Sequence, residues 1–108
     1  MGYHKPQRKK VKEEAEMIFF NVEEARDQLL KTGIVYTLRP KLRREGIDLA
    51  VNGSYFKNNK IGRVTVKYVG SANELNLENY RNKSGFEKLG DWLRAAKGSL
   101  YLYEVKII

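Results

Sequence analysis

The first apolar run is "MIFF" at residues 17–20, and it reads as the start of a strand. The pattern then switches to helical spacing in "NVEEARDQLLKTG", where Val22, Ala25, Leu29 and Leu30 fall on one face. Asn21 stands in N-cap position with Glu24 three residues later, the spacing of a capping box. Gly33 lies where a helix wants a left-handed C-terminal residue. "IVYTL" (34–38) is β-rich and ends before Pro40, which cannot donate to a ladder. "IDLAVN" (47–52) is a further strand pattern, closed by the turn signal Asn52-Gly53. A polar turn, "NNKIG" (58–62), leads into "RVTVKYV" (63–69), where Val64, Val66 and Tyr68 alternate with Thr65, Lys67 and Val69.

The segment "ANELNLENYRNK" (72–83) fits either a strand crossing with a loop or a short helix. "SGFEKLGDWLRAAKG" (84–98) predicts a second capped helix. Ser84 and Glu87 have capping-box spacing, and Phe86, Leu89, Trp92, Leu93 and Ala96 form an apolar stripe that ends at Gly98. "LYLYEVKII" (100–108) is a strand whose odd positions, Tyr101, Tyr103, Val105 and Ile107, face the core. Helices set among five or six short strands predict an α+β domain with a curled or barrel-like sheet.

With 108 residues, 42% of them hydrophobic, the chain suits one compact domain with a single modest core. Residues 1–12 hold almost no apolar side chains and predict a flexible basic tail, leaving 13–108 as the domain. With no cysteine, disulfides, Cys-based zinc sites and thiol nucleophiles are excluded. No apolar run approaches the roughly 20 residues that span a bilayer, and "MGYHKPQRKKVKEE" is charged where a signal peptide is apolar. The expectation is a soluble, cytoplasmic protein without a membrane partner.

Charge sharpens this picture. The net charge is +8, from 21 basic and 13 acidic residues. Lys5, Arg8, Lys9, Lys10 and Lys12 lie in the tail without an acid among them, so the remainder carries only +3. Within that remainder, Arg39, Lys41, Arg43, Arg44, Lys57, Lys60 and Arg63 cluster between 39 and 63 against Glu45 and Asp48. Clustered cations favour a polyanion, because neutralised phosphates release condensed counterions. Aromatics interleave with these cations, and Tyr55, after the Gly53 turn, is the candidate for stacking on a base. Tyr36, Tyr101, Tyr103 and Trp92 are assigned to packing.

Thr37 and Arg39 are two apart on one strand and so share a face. They offer a hydroxyl and a planar guanidinium fork to a base or phosphate; alternatively, Arg39 pairs with Glu45 or Asp48 and pins the loop. The sole histidine, His4, lies in the tail, so neither a metal site nor histidine acid–base chemistry is expected. Phosphate-binding glycine motifs are absent and no cofactor is expected.

A helix ending in Gly33, then "YTLR", then a basic loop containing a glycine resembles the signature region of the ASCH domain, a small member of the PUA-like superfamily. "KIGRVTVKYV", "SGFEKLGDWL" and "LYLYEVKII" resemble its later strand, capped helix and last strand, so the likeness covers about residues 17–108. It implies a PUA-like barrel of five or six strands with two main helices, and a cleft that binds RNA or nucleosides. Thr37 and Arg39 match the motif's hydroxyl and arginine, and Gly33 its glycine.

Some ASCH proteins resemble amidohydrolases that remove an acyl group from a modified cytidine, using a lysine, a threonine and a glutamate. Here the lysine position is Ile34. Thr37 remains, with Glu74 or Glu78 as the acid, but a threonine without a basic partner is a poor nucleophile. The leading expectation is therefore a non-catalytic nucleic-acid-binding module with a basic cleft, taking RNA in preference to DNA. In that picture Arg39, Arg43 and Arg44 form one wall and Lys57, Lys60 and Arg63 the other. The alternatives are an amidohydrolase of modified nucleosides and a protein–protein adaptor with a basic patch.

Overall fold

The computed structural model describes residues 17–53 and 59–108. In chain order the elements are β1 (Met17–Phe20), α1 (Glu23–Thr32), β2 (Ile34–Arg39), β3 (Gly46–Asn52), β4 (Asn59–Ser71), α2 (Glu78–Arg81), α3 (Leu89–Ala96) and β5 (Tyr101–Ile107). The five strands form one α+β sheet in the order β1-β3-β4-β5-β2, curled into a half-barrel. β1 runs parallel to β3, and every other neighbouring pair is antiparallel.

The curl has a local cause. The register slips between Ala50 and Val51 where β3 meets β4, and again between Tyr68 and Gly70 where β4 meets β5. An extra residue on one strand bends it and strengthens its twist. Gly70, at φ +157°, also lets the chain pass within reach of Leu75, whose Cδ1 would lie 3.1 Å from an added Cβ.

Strand alternation divides the sheet into two packed faces. The inner face carries Ile18, Phe20, Val35, Ala50, Val64, Val66, Tyr103 and Val105, and Ala25 and Leu29 of α1 pack on it. The opposite face buries Leu38 and Leu102 under Leu77 and Trp92 of the α2–α3 segment. In β5 the odd positions face the core as expected through Val105, whereas Ile107 at the strand end is 39% exposed. Leu102, of the other parity, is fully buried because α3 covers that half of the sheet.

Several end signals resolve differently from the sequence patterns. Helix α1 is capped at Val22 with no side-chain hydrogen bond, so Asn21 and Glu24 form no capping box. Gly33 does close the helix in left-handed conformation, its N–H donating to the Leu29 carbonyl. Val22 and Leu30 are exposed at 37% and 53%, so the buried stripe narrows to Ala25 and Leu29. The second helix begins at Leu89, and Ser84 works upstream of it. The Ser84 Oγ donates to the Arg81 carbonyl at 2.7 Å and accepts the Phe86 N–H at 3.1 Å, building a tight turn. The ambiguous segment 72–83 contains the short helix α2, a third helix beyond the two expected. Among the described residues, no helix is long and apolar enough to cross a membrane.

Candidate functional site

Along β2, Val35, Thr37 and Arg39 point to the inner side while Tyr36 and Leu38 point to the α2–α3 side. Where β2 ends, it meets the β1–α1 turn and the C-terminal end of α3. The three enclose a cleft of 240 Å³ lined by Phe19, Phe20, Asn21, Val22, Ala25, Thr37, Leu38, Arg39, Pro40, Ala95, Ala96 and Ser99. A smaller apolar recess of 40 Å³ adjoins it, with Phe86 and Trp92 in its wall. Thr37 borders both spaces. It is only 7% exposed, and its hydroxyl has no hydrogen-bond partner among the described residues. The side chain is largely covered, but its hydroxyl oxygen stays accessible from the cleft, where an incoming group can bond to it.

Among the described residues, Arg39 is the only charged one lining the cleft. Its Nη1 donates to the Phe19 carbonyl at 2.8 Å, and its guanidinium lies 4.8 Å from the centre of the Phe20 ring. Its Nε is buried without a hydrogen-bond partner. Burial lowers the Arg39 pKa to about 10, with a contribution from nearby Arg43, so the group remains a cation at neutral pH.

The alternative reading, in which Arg39 pairs with Glu45 or Asp48, does not hold. Asp48, 3% exposed, instead takes Arg43 at 2.8 Å and Arg44 at 3.1 Å. Glu45 accepts the Tyr68 backbone N–H at 2.7 Å. Arg43 is fixed further: its Nη2 donates to the Met17 carbonyl at 3.1 Å, and its own backbone is gripped by Tyr103. The buried Tyr103 hydroxyl accepts the Arg43 N–H at 2.7 Å and donates to the Arg43 carbonyl at 3.0 Å. The basic loop is thus held against the open end of the half-barrel, and Tyr103 serves both as core and as its clasp.

The cations predicted as two walls are therefore distributed over three places. Arg39 lines the cleft, with exposed Lys41 beside its lining residue Pro40. Arg43 and Arg44 hold Asp48. Lys60 and Arg63 are exposed on β4, which β5 separates from β2. Tyr55 and Lys57, like Lys5, Arg8, Lys9, Lys10, Lys12 and the rest of the tail, lie outside the described residues.

The acids considered for catalysis are also elsewhere. Glu74 is exposed in the turn after β4, and exposed Glu78 pairs with Arg81 at 2.5 Å. Neither lines the cleft, nor does any Asp, His or Lys among the described residues. Ile34, at the motif's lysine position, stands at the opposite end of β2 from Arg39. No group of three or more potential metal ligands occurs among the described residues.

Sequence reasoning missed two walls of the cleft: the Phe19–Val22 turn and the Ala95, Ala96 and Ser99 edge. Their only trace is the pair of small residues at the end of α3, which leaves space beside the strand. Comparison with protein-family models, curated proteins and solved structures gives no match to this chain.

Proposed function

We propose that this chain is a non-catalytic nucleic-acid-binding module of the ASCH/PUA-like type, taking single-stranded RNA and seating one base at the Thr37–Arg39 cleft. The observation that carries this reading is the unpartnered Thr37 hydroxyl, accessible in a cleft whose only charged lining group among the described residues is the Arg39 guanidinium. A hydroxyl can donate to or accept from a base edge, and a guanidinium supplies planar donors to a carbonyl or phosphate. The apolar recess beside them offers surface for a ring, and recognition of unpaired bases uses this combination of apolar contact and edge hydrogen bonds. The net charge of +8 adds sequence-independent attraction. Among the described residues the cleft lining holds no general base beside Thr37, which favours binding over reaction.

Fluorescence anisotropy with labelled single-stranded RNAs and DNAs of matched sequence tests the proposal on the wild type and Thr37→Val. Loss of the hydroxyl is expected to weaken binding about five- to thirtyfold, as for a hydrogen bond of roughly 1–2 kcal/mol. Equal affinities for the two proteins on every probe would remove Thr37 from the site and the reading with it.

A further inference from the structure

We infer that Lys97 is a phosphate-contacting residue at the rim of the cleft, so that the cleft holds a nucleotide within a chain rather than a free nucleoside. This rests on the proposed binding of a base beside Thr37. Lys97 follows Ala96 and precedes Ser99 by two residues, and both of these line the cleft. Its side chain is exposed, and it has no ion-pair partner among the described residues. The neighbouring Arg94, by contrast, is paired with Asp91.

The backbone there is unusual. Lys97 has φ +51°, the only positive φ of a non-glycine residue among the described residues, and Gly98 follows at φ +81°. Two successive left-handed residues swing the chain off α3, so that Ser99 turns into the cleft wall. Glycine would fill the first of those positions without strain, as it does at the end of α1. A lysine there instead sets an exposed cation directly after the lining residue Ala96. The β2 wall carries a matching cation, exposed Lys41, next to Pro40. Two exposed lysines, each next in sequence to a lining residue of a different wall, with no carboxylate among the described lining residues, suit a backbone that enters past one wall and leaves past the other.

The experiment measures anisotropy of a labelled ten-nucleotide single-stranded RNA at about 50 and 200 mM salt, where such contacts are most separable. It uses the full chain, Lys97→Gln, Lys97→Gly, Thr37→Val and Lys88→Gln, the last removing an exposed lysine from the far end of the same helix. Lys97→Gln is expected to weaken binding about three- to tenfold and to flatten the salt slope by about 0.7, one single-strand phosphate contact. Lys97→Gly should bind as weakly as Lys97→Gln while melting no lower than wild type, because it relieves the strained φ. Lys88→Gln should keep the wild-type slope.

A wild-type slope for Lys97→Gln, or an equal loss for Lys88→Gln, overturns the inference. If Lys97→Gln is silent while Thr37→Val weakens binding, the cleft reading stands and the phosphate contact falls. If only Lys97→Gln weakens binding, the contact stands and the seated base falls. Absence of wild-type binding removes both.

Discussion

Arg39 reaches across the open seam of the half-barrel and donates to the Phe19 carbonyl at 2.8 Å, joining the two edge strands that no ladder connects. Arg43, from the loop after β2, donates to the Met17 carbonyl of the same strand at 3.1 Å. Residues 17 and 19 have the same parity, so these carbonyls share the edge of β1 that faces away from β3. Exposed edge carbonyls invite pairing with another chain, and here two guanidinium groups occupy them. The arginine that lines the cleft is therefore also part of the fold's closure.

Arg39→Ala should lower stability by about 1.5–3 kcal/mol, the range for a hydrogen bond involving a charged group. It should also increase self-association through the uncovered β1 edge. Chemical denaturation and sedimentation together check this. An unchanged midpoint would mean that the seam contributes nothing.

Removing the carboxylate between the two loop arginines should be more damaging. Asp48→Ala removes the carboxylate that Arg43 and Arg44, both partly buried, share. Breaking one side of a buried ion pair costs about 3–5 kcal/mol. The lower end is expected, because Arg44 retains 34% side-chain exposure and can rehydrate.

Two glycines should differ sharply on substitution. Gly33→Ala meets nothing within 4 Å at φ +82°, so its cost is that of the left-handed conformation alone, about 1–2 kcal/mol. An alanine Cβ at Gly85, φ +95°, would sit 2.1 Å from the Glu24 carbonyl oxygen. The clash adds roughly 1–3 kcal/mol and pushes α1 away from the 84–86 turn. Comparable melting points for the two variants would contradict this packing.

Tyr36 sets a pH dependence. Its hydroxyl donates to Glu104 at 3.1 Å, and desolvation followed by that bond raises its pKa above 10.0. The folded state therefore holds this proton more tightly than the unfolded chain does. The resulting stability is complete below pH 10.0 and is lost as pH rises through the folded pKa. Tyr36→Phe should show a shallower loss of stability above pH 10 than wild type, in denaturation curves across that window.

Much of this architecture was legible because local signals and burial agree. Val64, Val66 and Tyr68 alternate as a strand must, Trp92 anchors the second cluster, and Gly33 ends α1. The shared face of Thr37 and Arg39 followed from strand parity alone. What did not follow was partner choice. Nothing in the string "LRPKLRREGID" says that Asp48 takes Arg43 and Arg44 while Arg39 turns to a backbone carbonyl on β1. Those contacts depend on how strands distant in sequence curl toward one another. The capping boxes failed for a related reason. Ser84 has the right spacing, yet its hydroxyl is already committed to the turn over α1. Cleft walls made of Asn21, Ala95 and Ser99 carry no periodic signal, since they result from where α3 stops.

Amide nitrogen–proton NMR during titration with a short single-stranded RNA tests the proposed cleft most directly. Shifts concentrated at 19–22, 37–41 and 95–99, absent with Thr37→Val, are the predicted result. Shifts confined to Lys60, Arg63 and the other exposed cations of β4, leaving the cleft residues still, would contradict it.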